Sequence, residues 1–392
     1  MNAVNLDNVA ATPVDPHVLE VMMPYFKDHY GNPSSGHELG EKPARALVEA
    51  REKVGDFIGS NPDEITFTSC ASESNNMALK GIAAAYKKKG QHIITSAIEH
   101  FSVLNPLRTL EKEGYQVTYL PVDHYGLVDP EQLRKAISSD TVLVSIMTAN
   151  PEIGTIQPIK ELAEIAKENG VVFHTDATAA AGYLPLDVEK LKVDLLSLAG
   201  DQFYGPKGSG ALFVRQGTRI LPLIEGGIQE KGRRAGSENV PAIVGLGEAA
   251  LLAGERMEER TKSLSSVRDS LRKQLFSGIT HLHLNGHPDK RLPHNLHISV
   301  EFVEGEALLM HLNNAGIYVS SGSTCTSQAL KSSHVLAAIG LSPELAQGSL
   351  LFTLNLENSV EEVSYIVERL AETAEKLRRM SPLYQKYLKE GS

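Results

Sequence analysis

Leu195-Leu196-Ser197-Leu198-Ala199-Gly200-Asp201-Gln202-Phe203-Tyr204-Gly205-Pro206-Lys207-Gly208-Ser209-Gly210-Ala211-Leu212 is the stretch that decides the fold. Its two apolar runs, 195–199 and 211–214, predict buried strands, and Gly205, Pro206 and Gly208 predict a turn between them. Both runs are continuously apolar rather than alternating, which is the pattern of strands covered on both faces. Further apolar runs at 65–67, 92–95, 116–122, 141–147 and 171–174 predict five more such strands. Helical patterns at 73–87, 103–112 and 159–168 fall between them. Strands alternating with helices predict an α/β fold with a mostly parallel seven-stranded sheet flanked by helices. Ligands in such sheets gather at the carboxyl ends of the strands.

Upstream, an extended arm over 5–16 leads to a helix at 17–26 and another at 42–58. Downstream, a long helical stretch over 238–277, with Gly245 and Gly247 permitting close packing, predicts a bridge to a second domain. Strand-like runs at 281–284, 296–302, 317–320 and 349–354 and helices at 304–313 and 361–380 predict a compact α+β unit there. The expected division is a large domain over 15–255 and a small α+β domain from 1–14 and 256–392. The polar tail 381–392 is expected to be mobile.

With 42% hydrophobic residues in 392, the chain supports sizeable cores. The net charge of −10 leaves no basic surface for nucleic acid. No apolar run reaches membrane-spanning length, and the first residues lack the pattern of a signal peptide. Cys70 and Cys325 form no CxxC pair, so a reducing cytoplasm is expected.

Several short stretches carry possible chemistry. Thr68-Ser69-Cys70-Ala71-Ser72-Glu73-Ser74-Asn75-Asn76 ends a strand and opens a helix, so its backbone N–H groups and the Ser72 hydroxyl suit either an anion or an ordinary N-cap. Ser96-Ala97-Ile98-Glu99-His100 and His174-Thr175-Asp176-Ala177-Thr178-Ala179 place a histidine and a carboxylate at strand ends. A carboxylate there needs a partner if it is buried. Ser320-Ser321-Gly322-Ser323-Thr324-Cys325-Thr326 is a loop of small residues around one thiol. The alternating histidines His281, His283 and His287 read as structure rather than as a metal site, and no metal is expected.

Together these stretches resemble the cysteine desulfurases of the NifS/IscS group, which are class-V aminotransferase-like, fold-type-I pyridoxal phosphate enzymes. The resemblance runs from Asp7 to Ser381-Pro382-Leu383-Tyr384. It implies a homodimer, a role in sulfur mobilisation such as iron–sulfur cluster assembly, and a scaffold or other sulfur-acceptor protein as partner. L-cysteine is the substrate if the chain is active. By this resemblance Ala71 and Ser72 hold the cofactor phosphate, His100 stacks on the pyridine ring, and Asp176 pairs with the ring nitrogen. Ser237, in Gly226-Gly227-Ile228-Gln229-Glu230-Lys231-Gly232-Arg233-Arg234-Ala235-Gly236-Ser237, reaches the phosphate of the neighbouring subunit, and Cys325 is the nucleophile that carries a persulfide.

The opening stretch departs from that family. Relatives have a histidine and then the lysine that carries pyridoxal phosphate as a Schiff base; this chain has Asp201 and Gln202. Ring contacts are also replaced by Pro151 and Ala179, a phosphate-side serine by Ala199, and a substrate-gripping arginine by Leu351. An amide forms no imine and is no general base. A carboxylate near a bound phosphate repels it by roughly a few kcal/mol. The leading expectation is a desulfurase homologue whose lysine-dependent cycle is lost or altered, with Cys325 and the docking surface kept. Pyridoxal phosphate, if bound at all, is then non-covalent. Two alternatives stand beside it. One is an active desulfurase with non-covalent cofactor and His100 as proton carrier. The other is a pocket repurposed for another ligand, or for a metal held by Cys70, His100, Asp176 and Cys325.

Overall fold

The computed structural model describes residues 3–321 and 333–390. Twelve strands lie among them: β1 (Val4–Asn5), β2 (Ile65–Thr68), β3 (His92–Ser96), β4 (Gln116–Leu120), β5 (Thr141–Ser145), β6 (Val172–Asp176), β7 (Leu195–Ala199), β8 (Gly210–Val214), β9 (Leu282–Leu284), β10 (Asn295–Val300), β11 (Ile317–Tyr318) and β12 (Ser349–Thr353). Seven form one sheet in the order β2-β8-β7-β6-β5-β3-β4. Every pairing in it is parallel except the two made by β8, which is antiparallel to β2 and to β7. The opening stretch is therefore a hairpin inside a parallel sheet. All residues of β2, β3, β5, β6, β7 and β8 are buried, as continuous apolarity requires. Strand β4 stops at Leu120, short of the expected 122, because Pro121 has no N–H to continue the ladder.

Register gathers the candidate residues. Thr68 and Ala199 both pair with Gly210, and Asp176 pairs with Ser197. The segments after Thr68, Ser96, Ser145, Asp176 and Ala199 therefore leave the sheet on one edge. Glycine is required at 210, where a Cβ would lie 2.8 Å from Thr68 Oγ1 and 2.9 Å from the Cys70 carbonyl carbon.

The 39-residue helix Val240–Gly278 joins two cores. Leu246, Ala249 and Ala253 pack with the large sheet, whereas Leu264, Leu271 and Leu275 pack with the three-stranded antiparallel sheet β12-β10-β9. Strand β1 pairs in parallel with β11, placing Val4 and Leu6 in that second core. The arm then crosses back to the large sheet, where the Thr12 N–H donates to the Asp201 carbonyl at 2.7 Å.

Two expectations need correction. Residues 17–26 form two helices, Pro16–Met22 and Pro24–Lys27, because Pro24 starts the second. The tail is not free: Pro382–Glu390 is a helix whose Tyr384 and Tyr387 rings sit 5.4 and 5.0 Å from Phe302. Aromatic residues three apart share one helix face, which the polar composition of the tail concealed. Among the described residues no helix is long and apolar enough to cross a membrane.

Candidate functional site

A cavity of about 480 Å³ opens on the edge where the five segments leave the sheet. Cys70, Ala71, Ser72, His100, Asp176, Asp201 and Gln202 all line it, together with Pro151, Ala179 and Ala199. Sequence reasoning brought these residues to one place, and the structure does so too. Ser237 is exposed and does not line the cavity, and Cys325 lies outside the described residues. Leu351 is a correction: it is 1% exposed within β12, pairs with His297, and is not part of the cavity wall. Its neighbours Leu350, Phe352 and Leu354 face the second core, which puts Leu351 on the other face of the strand, with its backbone bridged to Ser320.

Asp176, the last residue of β6, is held by donors rather than by a cation. Asn75 Nδ2 donates to Oδ2 at 2.6 Å and the Thr178 N–H donates to Oδ1 at 3.0 Å. His174, two residues earlier, lies between Ser145 Oγ at 2.8 Å and Ser197 Oγ at 3.0 Å. Burial lowers its pKa to about 4, against the pull of Asp176, so it is neutral at pH 7. A carboxylate accepts about four hydrogen bonds, and Asp176 retains room for another N–H from the cavity.

The same Asn75 amide donates to Ser102 Oγ at 2.8 Å, and Ser102 Oγ lies 2.7 Å from His100 Nδ1. The Ser102 N–H also donates to Nδ1, at 3.1 Å, so His100 is the N-cap of the helix Phe101–Lys112. With Nδ1 accepting, the hydrogen-bond network assigns the ring proton to Nε2.

Two further carboxyls in the wall, Glu99 beside His100 and Glu152 beside Pro151, carried no role in the sequence reading. Glu99 is fully buried; Ser96 Oγ donates to its Oε1 at 2.6 Å and the Met147 N–H does so at 3.0 Å. Burial raises its pKa to about 8, with those two donors opposing and Asp176 adding to the rise. Glu152 accepts from Ser333 Oγ at 2.8 Å, and burial raises its pKa to about 8 as well. Both are neutral acids at pH 7. Their only signal in the sequence was an acidic residue next to an isoleucine in the segment that follows a strand.

The anion-binding candidate is the start of the 16-residue helix Ala71–Tyr86. Its N-cap, Cys70, makes no side-chain cap, so the first-turn N–H groups point outward without a side-chain acceptor. Nearby, Arg234 Nε is engaged by Glu73 at 2.8 Å. Gln202 sits in the short 3-10 turn Gly200–Gln202 and donates from Nε2 to the Ala10 carbonyl at 2.9 Å. Among the described residues, no lysine or arginine lines the cavity. Nor do they contain a group of three or more His, Cys, Asp or Glu that could hold a metal ion.

This arrangement fits the non-covalent contacts that pyridoxal phosphate requires. Asp176 offers an acceptor for a ring N–H, His100 a flat side chain, and the helix start unfilled N–H donors. The Thr178 Oγ1 is buried without a hydrogen-bond partner beside the same space. What the wall does not offer is an amine at 202.

A family model described as aminotransferase class-V matches residues 4–366. The chain is similar to cysteine desulfurase IscS of Methanosarcina thermophila, 53% identical over 384 residues, covering 98% of this chain and 95% of that protein. It is also similar to cysteine desulfurase IscS of Dictyoglomus turgidum, 50% identical over 98% of either chain. Among solved structures, a NifS-like protein superposes with a TM-score of 0.90 at 40% identity, covering 96% of this chain and all 100% of that one. SspA in complex with cysteine matches with a TM-score of 0.81 at 37% identity, over 90% of this chain and 98% of its own.

Proposed function

The chain belongs to the aminotransferase class-V family, and on that premise we propose that it is a desulfurase-type carrier of sulfur whose lysine-dependent cycle is lost. Sulfur mobilisation is the function its IscS relatives support. The observation that carries the loss is the cavity wall: Gln202 is fastened to Ala10, and no described lysine faces the space. An amide neither anchors an aldehyde nor moves a proton near neutral pH.

Pyridoxal phosphate, when bound, supplies an electron sink. Asp176 would hold its ring N–H, His100 its face, and the N–H groups of Ala71 and Ser72 its phosphate, all without a covalent bond. Ser237, exposed beyond the cavity, reaches the site of the second subunit of a homodimer. Cys325 keeps the role of carrier. Its thiolate attacks the outer sulfur of a donor persulfide, the donor leaves as a thiolate, and Cys325 holds the persulfide with no net oxidation. The sulfur then passes to an iron–sulfur scaffold or another acceptor protein in the cytoplasm.

The test is sulfide release from L-cysteine with pyridoxal phosphate supplied. The expected result is no turnover above buffer, while a persulfide donor adds one sulfur atom to wild type and none to Cys325→Ser. Catalytic turnover would overturn the reading. The unbroken Asp176–Asn75–Ser102–His100 chain favours the second reading, an active desulfurase with non-covalent cofactor, and the same assay decides between them.

A further inference from the structure

The stretch that carries Ser237 begins in a backbone conformation that side-chain-bearing residues rarely keep unaided. Glu230 and Lys231 stand at φ 47° and 58°, and Gly232 follows them at 77°. This left-handed region favours glycine, so residues with a Cβ persist in it only where their surroundings fix them.

The fixing contacts lie on the free edge of the large sheet. Strand β2 is the outermost strand and pairs only with β8. On its open side the Phe67 N–H donates to Glu230 Oε2 at 2.8 Å, and the Ile65 carbonyl accepts from Arg51 Nη1 at 2.6 Å. Arg51, on the helix Glu38–Ile58, also grips Glu230 with both ends of its guanidinium, at 2.7 and 2.9 Å. The Glu230 side chain is only 4% exposed, and the guanidinium lies 4.5 Å over the Phe67 ring. A bidentate pair of this kind sets geometry as well as energy. Beyond Gly232 the chain is tied again. Arg234 Nε donates to Glu73 Oε1 at 2.8 Å, and the Gly236 N–H donates to Gln229 Oε1 at 3.3 Å. Ser237 follows these ties and is exposed.

We propose that Glu230 is a positioning residue: clamped by Arg51 and the Phe67 N–H, it aims Ser237 of one protomer at the phosphate in the cavity of its partner. This rests on the reading in which the second subunit of a homodimer supplies Ser237 to that phosphate. The clamp is complete within a single protomer, so the hydroxyl is placed before the ligand arrives and little ordering is left to oppose binding.

Equilibrium dialysis against pyridoxal phosphate, with no turnover required, compares the full-length wild type, Glu230→Ala, Ser237→Ala and the double variant. A hydroxyl bond to a charged phosphate is worth about tenfold or more in affinity. Each single variant should therefore bind about tenfold more weakly, and the double variant no more weakly than Ser237→Ala, because both changes remove one contact. A merely structural Glu230 would lower the urea midpoint yet leave Ser237→Ala its full effect in either background. Effects that multiply, or a Glu230→Ala chain that binds like wild type while Ser237→Ala does not, would overturn the proposal and leave the Ser237 reading standing. Wild-type affinity in Ser237→Ala would overturn that reading and the proposal with it, and a wild type that binds no pyridoxal phosphate would overturn the pocket reading as well. Should Glu230→Ala not fold, Arg51→Met with Glu230→Gln removes the ion pair without leaving a buried charge and takes its place in the comparison.

Discussion

Asn75 Nδ2 lies 2.6 Å from Asp176 Oδ2, so one fully buried amide holds the carboxylate at the end of β6. The same amide bonds Ser102 Oγ, and the Ser102 N–H donates to His100, the N-cap of the next helix. Replacing Asn75 by leucine keeps the volume and removes both bonds. Asp176 then loses a donor in a buried site, and the expected loss of stability is about 2–3 kcal/mol. Asn75→Asp should cost more, because it sets a second carboxylate against the first. Urea unfolding checks this: the midpoint should fall with an unchanged m-value.

The buried titrating groups set a pH profile. Glu99 and Glu152 have pKa values raised to about 8 in the folded chain. Between their unfolded value near 4.5 and 8 the folded state holds two protons that the unfolded state has lost, so they make stability fall as pH rises through that window. His174, His294 and His297 work in the opposite sense. Their folded pKa values are lowered to about 4, 3 and 3, so below 6.5 the unfolded state takes up protons that the folded state refuses. Below pH 6.5 these three histidines, joined by His92 and His334 whose pKa values burial also lowers, oppose the two acids; above it the histidines no longer contribute. Stability should therefore peak near pH 6.5 and decline towards pH 8, by about 1.4 kcal/mol per unit for each acid. Denaturation midpoints across that range test it, and Glu99→Gln should remove about half of the alkaline decline.

How far the sequence could be read depended on the kind of signal. Strands β2 to β8 were legible because unbroken apolar runs with Gly and Pro punctuation are decided locally. The cavity wall was legible where a residue followed such a run directly, as Asp176, His100 and Gln202 do. Leu351 was misplaced because its facing depends on the pairing of β12 with β10, which no local pattern encodes. Asn75 and Ser102 carried no role because their importance is a meeting of two helix starts, 27 positions apart. The protonated state of Glu99 and Glu152 depends on burial, which composition does not report.

The docking of the terminal helix Pro382–Glu390 rests on its aromatic face. Tyr384 and Tyr387 both meet Phe302, and His281 packs 5.1 Å from the Tyr387 ring. Removing both rings as Tyr384→Ala with Tyr387→Ala should lower stability by about 1–3 kcal/mol, from two lost aromatic contacts. A melting temperature unchanged from wild type would show the helix to be undocked in solution. Amide exchange within 382–390 should quicken in the double variant for the same reason.

Ser333 joins the cavity wall to the segment that follows Cys325 in the sequence. Its hydroxyl donates to Glu152 Oε2 at 2.8 Å and accepts the N–H groups of Val335 and Leu336 at 3.1 and 3.3 Å. Glu152 Oε1 is buried without a partner already, so Ser333→Ala leaves neither oxygen bonded and also uncaps the helix His334–Ala338. The lost cap costs about 1 kcal/mol. The stripped carboxyl adds about 1–3 kcal/mol. The hydroxyl is also what holds the Glu152 pKa down against burial. Its removal should carry the alkaline decline of stability beyond pH 8, whereas Glu152→Gln should abolish that residue's share of the decline. A Ser333→Ala profile that ends where the wild-type profile ends would mean that the serine does not control the acid.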